Sequence, residues 1–286
     1  MLPTAERRRR VTYKQICELL AERGVESPEV DAAMLLEHFC GIGRARLPLE
    51  KDRELDDPAL LEAVARRAER YPLQYILGEW GFFEGSFGVS EGVLIPRQDT
   101  ELLVELAVEL LVKGGRFIDL GCGSGCISVS TLMSRPDATG VAVDISPVAR
   151  ELTAKNAVRN GVGDRLSVIE GNMLASEFWD GMEAGGFDVL ISNPPYIPTE
   201  EVGKLAPELA HEPRLALDGG DDGLDFYRVI IARGGRLLRQ GGKMLFECGV
   251  GQTGDIIRLV EAQGYSACAH YDIERRDRAV SVSIDG

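Results

Sequence analysis

Histidine is scarce in this chain. The three present in 286 residues, His38, His211 and His270, form no cluster. The six cysteines, Cys17, Cys40, Cys122, Cys126, Cys248 and Cys268, include no CxxC pair, and no histidine lies close to Cys122 and Cys126 in sequence to complete a metal set. No metal is therefore expected. Scattered thiols of this kind, several in apolar segments, read as reduced, buried cysteines of a cytoplasmic protein. Long apolar runs are missing as well. None approaches the roughly 20 residues that cross a bilayer, so no membrane association is expected. Arg7–Arg10 lead into no apolar stretch, which argues against a secretion signal. They read as a solvated approach to the first helix rather than an arm for nucleic acid. Positive charge is in deficit: 32 Lys and Arg face 46 Asp and Glu, a net charge of −14. Binding to phosphate backbones draws its affinity from clustered Lys and Arg, so no direct nucleic-acid binding is expected. A basic partner suits the charge better. Repeats and low-complexity segments are absent too.

What is present is the composition of a folded protein, 44% hydrophobic and 27% charged. The length allows one domain of about 200 residues and a smaller one. Helical spacing of Ile16, Leu19 and Leu20 behind Thr12 predicts a first helix over 12–23. Ser27-Pro28 opens a second helix that stops at Gly41, and a third runs over about 58–70. Residues 1–75 thus read as a helical domain without a reactive constellation, either structural or a grip on a partner. Aromatics alternating with small residues over 80–90 predict a hairpin inside a linker, 76–95. Residues 96–286 form the main domain, entered through a helix over 100–112. Strands are predicted at 116–120, 140–144, 166–170, 187–192, 243–248 and near 278–284, with helices at 125–134, 147–160, 223–239 and 252–263. Such alternation gives an α/β fold with a doubly wound, mostly parallel sheet.

Two strand ends carry the chemistry. The apolar strand before Asn193-Pro194-Pro195-Tyr196 must stop there, since neither proline can continue a ladder and each holds its predecessor extended. The carbonyls of Asn193 and Pro194 could accept the two hydrogens of a planar NH2 group, with Tyr196 as an aromatic face beside it. The plainer alternative is a proline-rich turn behind a core strand. The second end reads Asp119-Leu120-Gly121-Cys122-Gly123-Ser124-Gly125, a strand feeding a glycine turn that opens a helix. It lets a ligand approach the backbone, though its spacing departs from the dinucleotide fingerprint. Asp144 closes the next strand, placed to accept from two ribose hydroxyls.

DLGCGSG, VAVDIS and SNPPYIP together resemble the S-adenosylmethionine-dependent methyltransferases that act on amino groups. With LIPRQDTE (94–101), YPLQYILG (71–78) and EPRLALDGGDDGLDFYR (212–228), the chain resembles the release factor glutamine N5-methyltransferases, the HemK family, over nearly its whole length. Gln98 stands where that family usually has proline. The resemblance implies a Rossmann-like, seven-stranded methyltransferase domain, S-adenosylmethionine as cofactor and S-adenosylhomocysteine as its product. The substrate implied is the glutamine of the Gly-Gly-Gln motif in peptide-chain release factors, methylated in the cytoplasm by a monomer. Asp119, Gly121, Cys122, Gly123, Ser124, Gly125, Asp144 and Asn193 would hold the cofactor, with Asn172 on the adenine amine and Met173 on the ring. Asn193, Pro194, Pro195 and Tyr196 would hold the substrate, Asn193, Pro194 and Tyr196 acting catalytically. Arg97 and Glu101 either border the pocket or make structural salt bridges. The acids of 212–225 read as a solvated loop or as a rim that steers a basic substrate. Two other readings remain: a DNA adenine N6-methyltransferase, because the same tetrapeptide suits an exocyclic amine, and a non-catalytic cofactor-binding module.

Overall fold

The structure, a computed structural model, describes residues 10–284; the arginines at 7–9 lie outside them. Helices α1 (Tyr13–Glu22), α2 (Pro28–Cys40), α3 (Leu47–Glu50), α4 (Pro58–Ala68) and α5 (Leu73–Leu77) come first, followed by the strands β1 (Glu79–Phe82) and β2 (Gly85–Gly88). Then come α6 (Glu101–Leu110), β3 (Arg116–Leu120), α7 (Cys126–Ser134), β4 (Thr139–Asp144), α8 (Pro147–Arg159), β5 (Leu166–Glu170), α9 (Ser176–Gly181) and β6 (Phe187–Ser192). The chain closes with α10 (Thr199–Val202), α11 (Asp225–Gly234), β7 (Leu238–Glu247), α12 (Thr253–Glu261), β8 (Ser266–Tyr271) and β9 (Asp277–Ser283). These elements form two compact units, Met1–Gly78 with Ala206–His211, and Glu79–Leu205 with Glu212–Gly286.

In the helical unit, Thr12 caps α1 through a reciprocal pair, Gln15 N donating to Thr12 Oγ1 and Thr12 N to Gln15 Oε1. Asp57 caps α4 by accepting from Ala59 N at 2.8 Å and Leu60 N at 3.2 Å. Leu20, Leu35, Leu36 and Leu60 are fully buried between the helices. Beside them Arg67 donates to Asp31 at 2.6 Å and to Glu208 at 3.0 Å, and Arg70 donates to Glu208 at 2.6 Å. Burial works to raise the Glu208 pKa, but the Arg70 and Arg67 hydrogen bonds overcome it and hold the carboxyl at about 2.

The larger unit holds a seven-stranded sheet in the order β5-β4-β3-β6-β7-β9-β8, parallel except for the pairings of β9 with β7 and β8. Its central strands are apolar almost throughout, because helices cover both faces. The chain enters the sheet at β3, runs outward through β4 and β5, then returns to β6 on the other side of β3. That reversal is the switch point at which open α/β sheets bind ligands. The register pairs Leu120 with Ser192, so the glycine turn and the Asn-Pro-Pro-Tyr stretch leave the sheet side by side. Ser192 Oγ donates to Leu120 O at 2.7 Å and locks the two ends together. The hairpin β1–β2 packs on α8, where Asn156 binds both Gly88 and, at 2.9 Å, the carbonyl of Ser124 in the glycine turn.

Beyond the short helices α3, α5, α9 and α10, which the residue pattern did not predict, two elements differ from the sequence expectation. The helix predicted over 223–239 ends at Gly234, beside a second glycine, and after one 3-10 turn Leu238 already pairs with Phe187 as the start of β7. The seventh strand, Ser266–Tyr271, has no counterpart in the residue pattern: its small, half-exposed residues at the sheet edge give no apolar alternation.

Candidate active site

A cavity opens at the switch point. Its lining takes in the glycine turn from Gly121 to Ser124, Asp144 at the end of β4, Asn172 and Met173 after β5, and Asn193 and Pro195 after β6. The glycine turn needs its glycines: φ is +76°, +55° and +79° at Gly121, Gly123 and Gly125. A Cβ on Gly121 would also stand 3.2 Å from Met173 Cε, and one on Gly125 2.8 Å from Thr153. The backbone is therefore bare where a ligand meets it, and the helix α7 begins immediately behind.

Asp144 does more than face this space. Its carboxylate accepts from Gly123 N at 2.9 Å and Ser146 N at 2.8 Å, so it also fastens the glycine turn to the end of β4. A carboxylate has lone pairs left for a diol. Asn172 Oδ1 accepts from Leu174 N at 3.0 Å, which leaves its Nδ2 donor for a ligand. A ring nitrogen suits that donor better than the exocyclic amine expected from the sequence. Met173 is buried beside it and holds Trp179 Nε1 through its carbonyl.

The remaining candidates divide. Arg97 borders the cavity and is anchored by the buried Glu212, whose other oxygen accepts from Ile95 N at 3.1 Å. This clamp joins the stretch 94–101 to the loop after 212, both of which line the cavity. Glu101 lies off the wall and instead accepts from Phe83 N at 2.8 Å in the hairpin turn. Asp119 is fully buried beneath the turn and binds Ser128 at 2.6 Å. Burial pushes its pKa up to about 7, against the lowering effect of Ser128. Tyr196 is half-buried against the core rather than on the cavity wall, and burial raises its pKa to about 12. Pro194 is buried, between Asn193 and Pro195, the two residues of this stretch that line the cavity. Gln98 is exposed and opens a 3-10 turn, so the missing proline disturbs no packing. The acidic rim is largely neutralised by arginines: Asp218 pairs with Arg214, and Asp222 and Asp225 pair with Arg228.

Sequence reasoning missed Val93, Leu94, Ile95, Pro96, Leu215 and Phe226, which give the cavity an apolar lining. It also missed Thr100, on the wall, and Glu247, behind it. Glu247 carried a readable signal, an acid ending the apolar run Met244-Leu245-Phe246, as Asp144 ends its own.

Residues 12–78 match the family described as the PrmC N-terminal domain, and 97–222 match the methyltransferase small domain. The chain is 40% identical over 253 residues to a release factor glutamine methyltransferase of Geobacter sulfurreducens, covering 87% of each. A second relative so named, from Cereibacter sphaeroides, is 40% identical over 274 residues, covering 93% of this chain and 94% of that one. The chain belongs to the release factor glutamine methyltransferase family. A methyltransferase structure from Pyrococcus furiosus, 16% identical, shares the fold with a TM-score of 0.52 over 70% of this chain and 89% of that one. Membership makes S-adenosylmethionine the cofactor of this methyltransferase. The cavity fits it: a bare glycine turn for a main-chain-like amino-acid portion, a carboxylate for a diol, and an apolar slot beside Met173 for a flat ring.

Proposed function

We propose that this chain transfers a methyl group from S-adenosylmethionine to the side-chain amide nitrogen of the glutamine in the Gly-Gly-Gln motif of release factors. One observation carries the chemistry: the pairing of Leu120 with Ser192 sets the cofactor turn and Asn193 on the walls of one cavity. The cofactor, when bound, supplies a methyl group activated by a positively charged sulfur. The protein must make an amide nitrogen act as nucleophile although its lone pair is delocalised into the carbonyl.

Asn193 Oδ1 and the Pro194 carbonyl accept the two hydrogens of the substrate NH2. They fix its plane and stabilise the positive charge that grows on nitrogen. The apolar lining excludes water. No strong base is needed before attack: the methylated nitrogen, positively charged and strongly acidic, gives up its proton to solvent water as the product leaves. The helical unit, which lacks a reactive constellation, grips the release factor, and the protein works in the cytoplasm. A DNA adenine substrate fits the same carbonyl pair but not a chain with 46 acids against 32 bases.

The test is incubation with labelled cofactor, a purified release factor and duplex DNA in parallel. Label on the release factor glutamine alone is expected. Label on adenine would overturn the reading.

A further inference from the structure

Asn193 can present either end of its amide to the cavity, and only the oxygen end accepts from a substrate NH2. Something must decide which. Asn193 Nδ2 donates to Thr100 Oγ1 at 3.4 Å. The side chains of Thr100, almost fully buried, and of Asn193 itself both hydrogen bond Glu247, which is 3% exposed at the end of β7. A hydroxyl has one hydrogen. While Glu247 is ionised, above the value of about 7 to which burial raises it, that hydrogen goes to its carboxylate and Thr100 offers Asn193 a lone pair, which only the Nδ2 end can use.

We propose that Thr100 and Glu247 are positioning residues that set the amide of Asn193, turning its Oδ1 toward the substrate. This rests on the proposed transfer to a glutamine amide. The direction of the relay follows from its end. Glu247 cannot be traded for an apolar residue without freeing the Thr100 hydrogen, which then turns to Asn193 Oδ1 and lets the amide reverse. The second carboxylate oxygen, Oε2, is buried with no partner among the described residues. Burial without full pairing is costly, which fits a group kept for the site rather than for stability. Glu247 does not line the cavity, so it reaches the substrate only through Thr100 and through its own hydrogen bond to the Asn193 side chain, which only the Nδ2 end can donate.

The experiment compares Thr100→Val, Thr100→Ser, Glu247→Leu and the Val/Leu double variant with the wild type. Cofactor affinity, single-turnover rate on release factor, and the nitrogen-15 resonance of the Asn193 side-chain amide are measured, the last without substrate. Thr100→Val, nearly isosteric, is expected to lose about tenfold to a hundredfold in turnover with cofactor affinity unchanged, and Thr100→Ser to recover it. Because both residues brace the same Nδ2 end, the double variant should fall by less than the product of the two single losses. Normal turnover in Thr100→Val, or losses that multiply in the double variant, would overturn the relay. Should Glu247→Leu not fold, the Val and Ser pair decides. If the wild type leaves the glutamine unmethylated, the substrate reading fails separately, and the Asn193 resonance judges the relay: moved by Thr100→Val it stands, unmoved it falls.

Discussion

Replacing Asp144 by asparagine changes one atom and tests how the cofactor side of the cavity is built. The carboxylate accepts from Gly123 N at 2.9 Å and Ser146 N at 2.8 Å, and also faces the cavity. An amide has one oxygen, so the Asp144→Asn side chain would set an NH2 against one of these two donors. Hydrogen bonds to a charged group contribute about 1.5–3 kcal/mol each. Losing one, together with the acceptor for the diol, should weaken cofactor binding by roughly 10- to 100-fold, at about 1.4 kcal/mol per tenfold. Asp144→Ala, which leaves both donors unpaired, should do at least as much harm. Because the same bonds fasten the glycine turn to β4, both variants should also melt a few degrees lower. Calorimetric titration and a melting curve on one preparation read both effects. A folded Asp144→Asn protein that binds the cofactor as the wild type does would refute this account of the turn.

Three further outcomes follow. Asp119, raised by burial to about 7, keeps its proton in the folded state to higher pH than in the unfolded chain. Its contribution to stability is thus full in acid and falls as pH climbs from the ordinary carboxylate range to about 7. Asp119→Asn should therefore match the wild type in acid and exceed it above pH 7 by a few kcal/mol at most; parallel denaturation curves at all pH values would contradict this. Arg67→Ala leaves the buried Asp31 without its guanidinium, which should destabilise the helical unit by about 3–5 kcal/mol. Cofactor affinity should persist while methylation of intact release factor drops; unimpaired methylation by a protein whose helical unit has melted would remove the gripping role. Glu101→Ala should loosen the hairpin by about 1–3 kcal/mol through loss of the Phe83 bond and leave cofactor affinity alone, which titration checks.

The central strands were legible because burial on both faces demands mostly apolar runs: β3 and β6 fall on 116–120 and 187–192 as expected. The glycine turn and the proline stop were legible because they are backbone requirements written as residue types. The edge strand β8 was not, since half-exposed Ser, Ala and His need no pattern there. Nor could spacing tell which acid serves a ligand. Asp144 and Glu247 end apolar strands and Asp119 stands last but one in its own, yet only Asp144 reaches the cavity. That outcome depends on partners such as Ser128 and Thr100 brought in from other elements. Arg97 and Glu101, four residues apart, took different partners for the same reason, one held by Glu212 and the other by Phe83.

The account stands most directly on Asn193. In Asn193→Ala, the acceptor that orients the substrate amide is gone while Asp144 and the glycine turn keep their bonds. Thermal midpoint, cofactor affinity and single-turnover rate on release factor should be measured on the same preparation. The account predicts near-normal midpoint and affinity with a rate lower by about 10²- to 10³-fold. A stable Asn193→Ala protein that turns over normally, or one that loses stability, affinity and rate together, would contradict it.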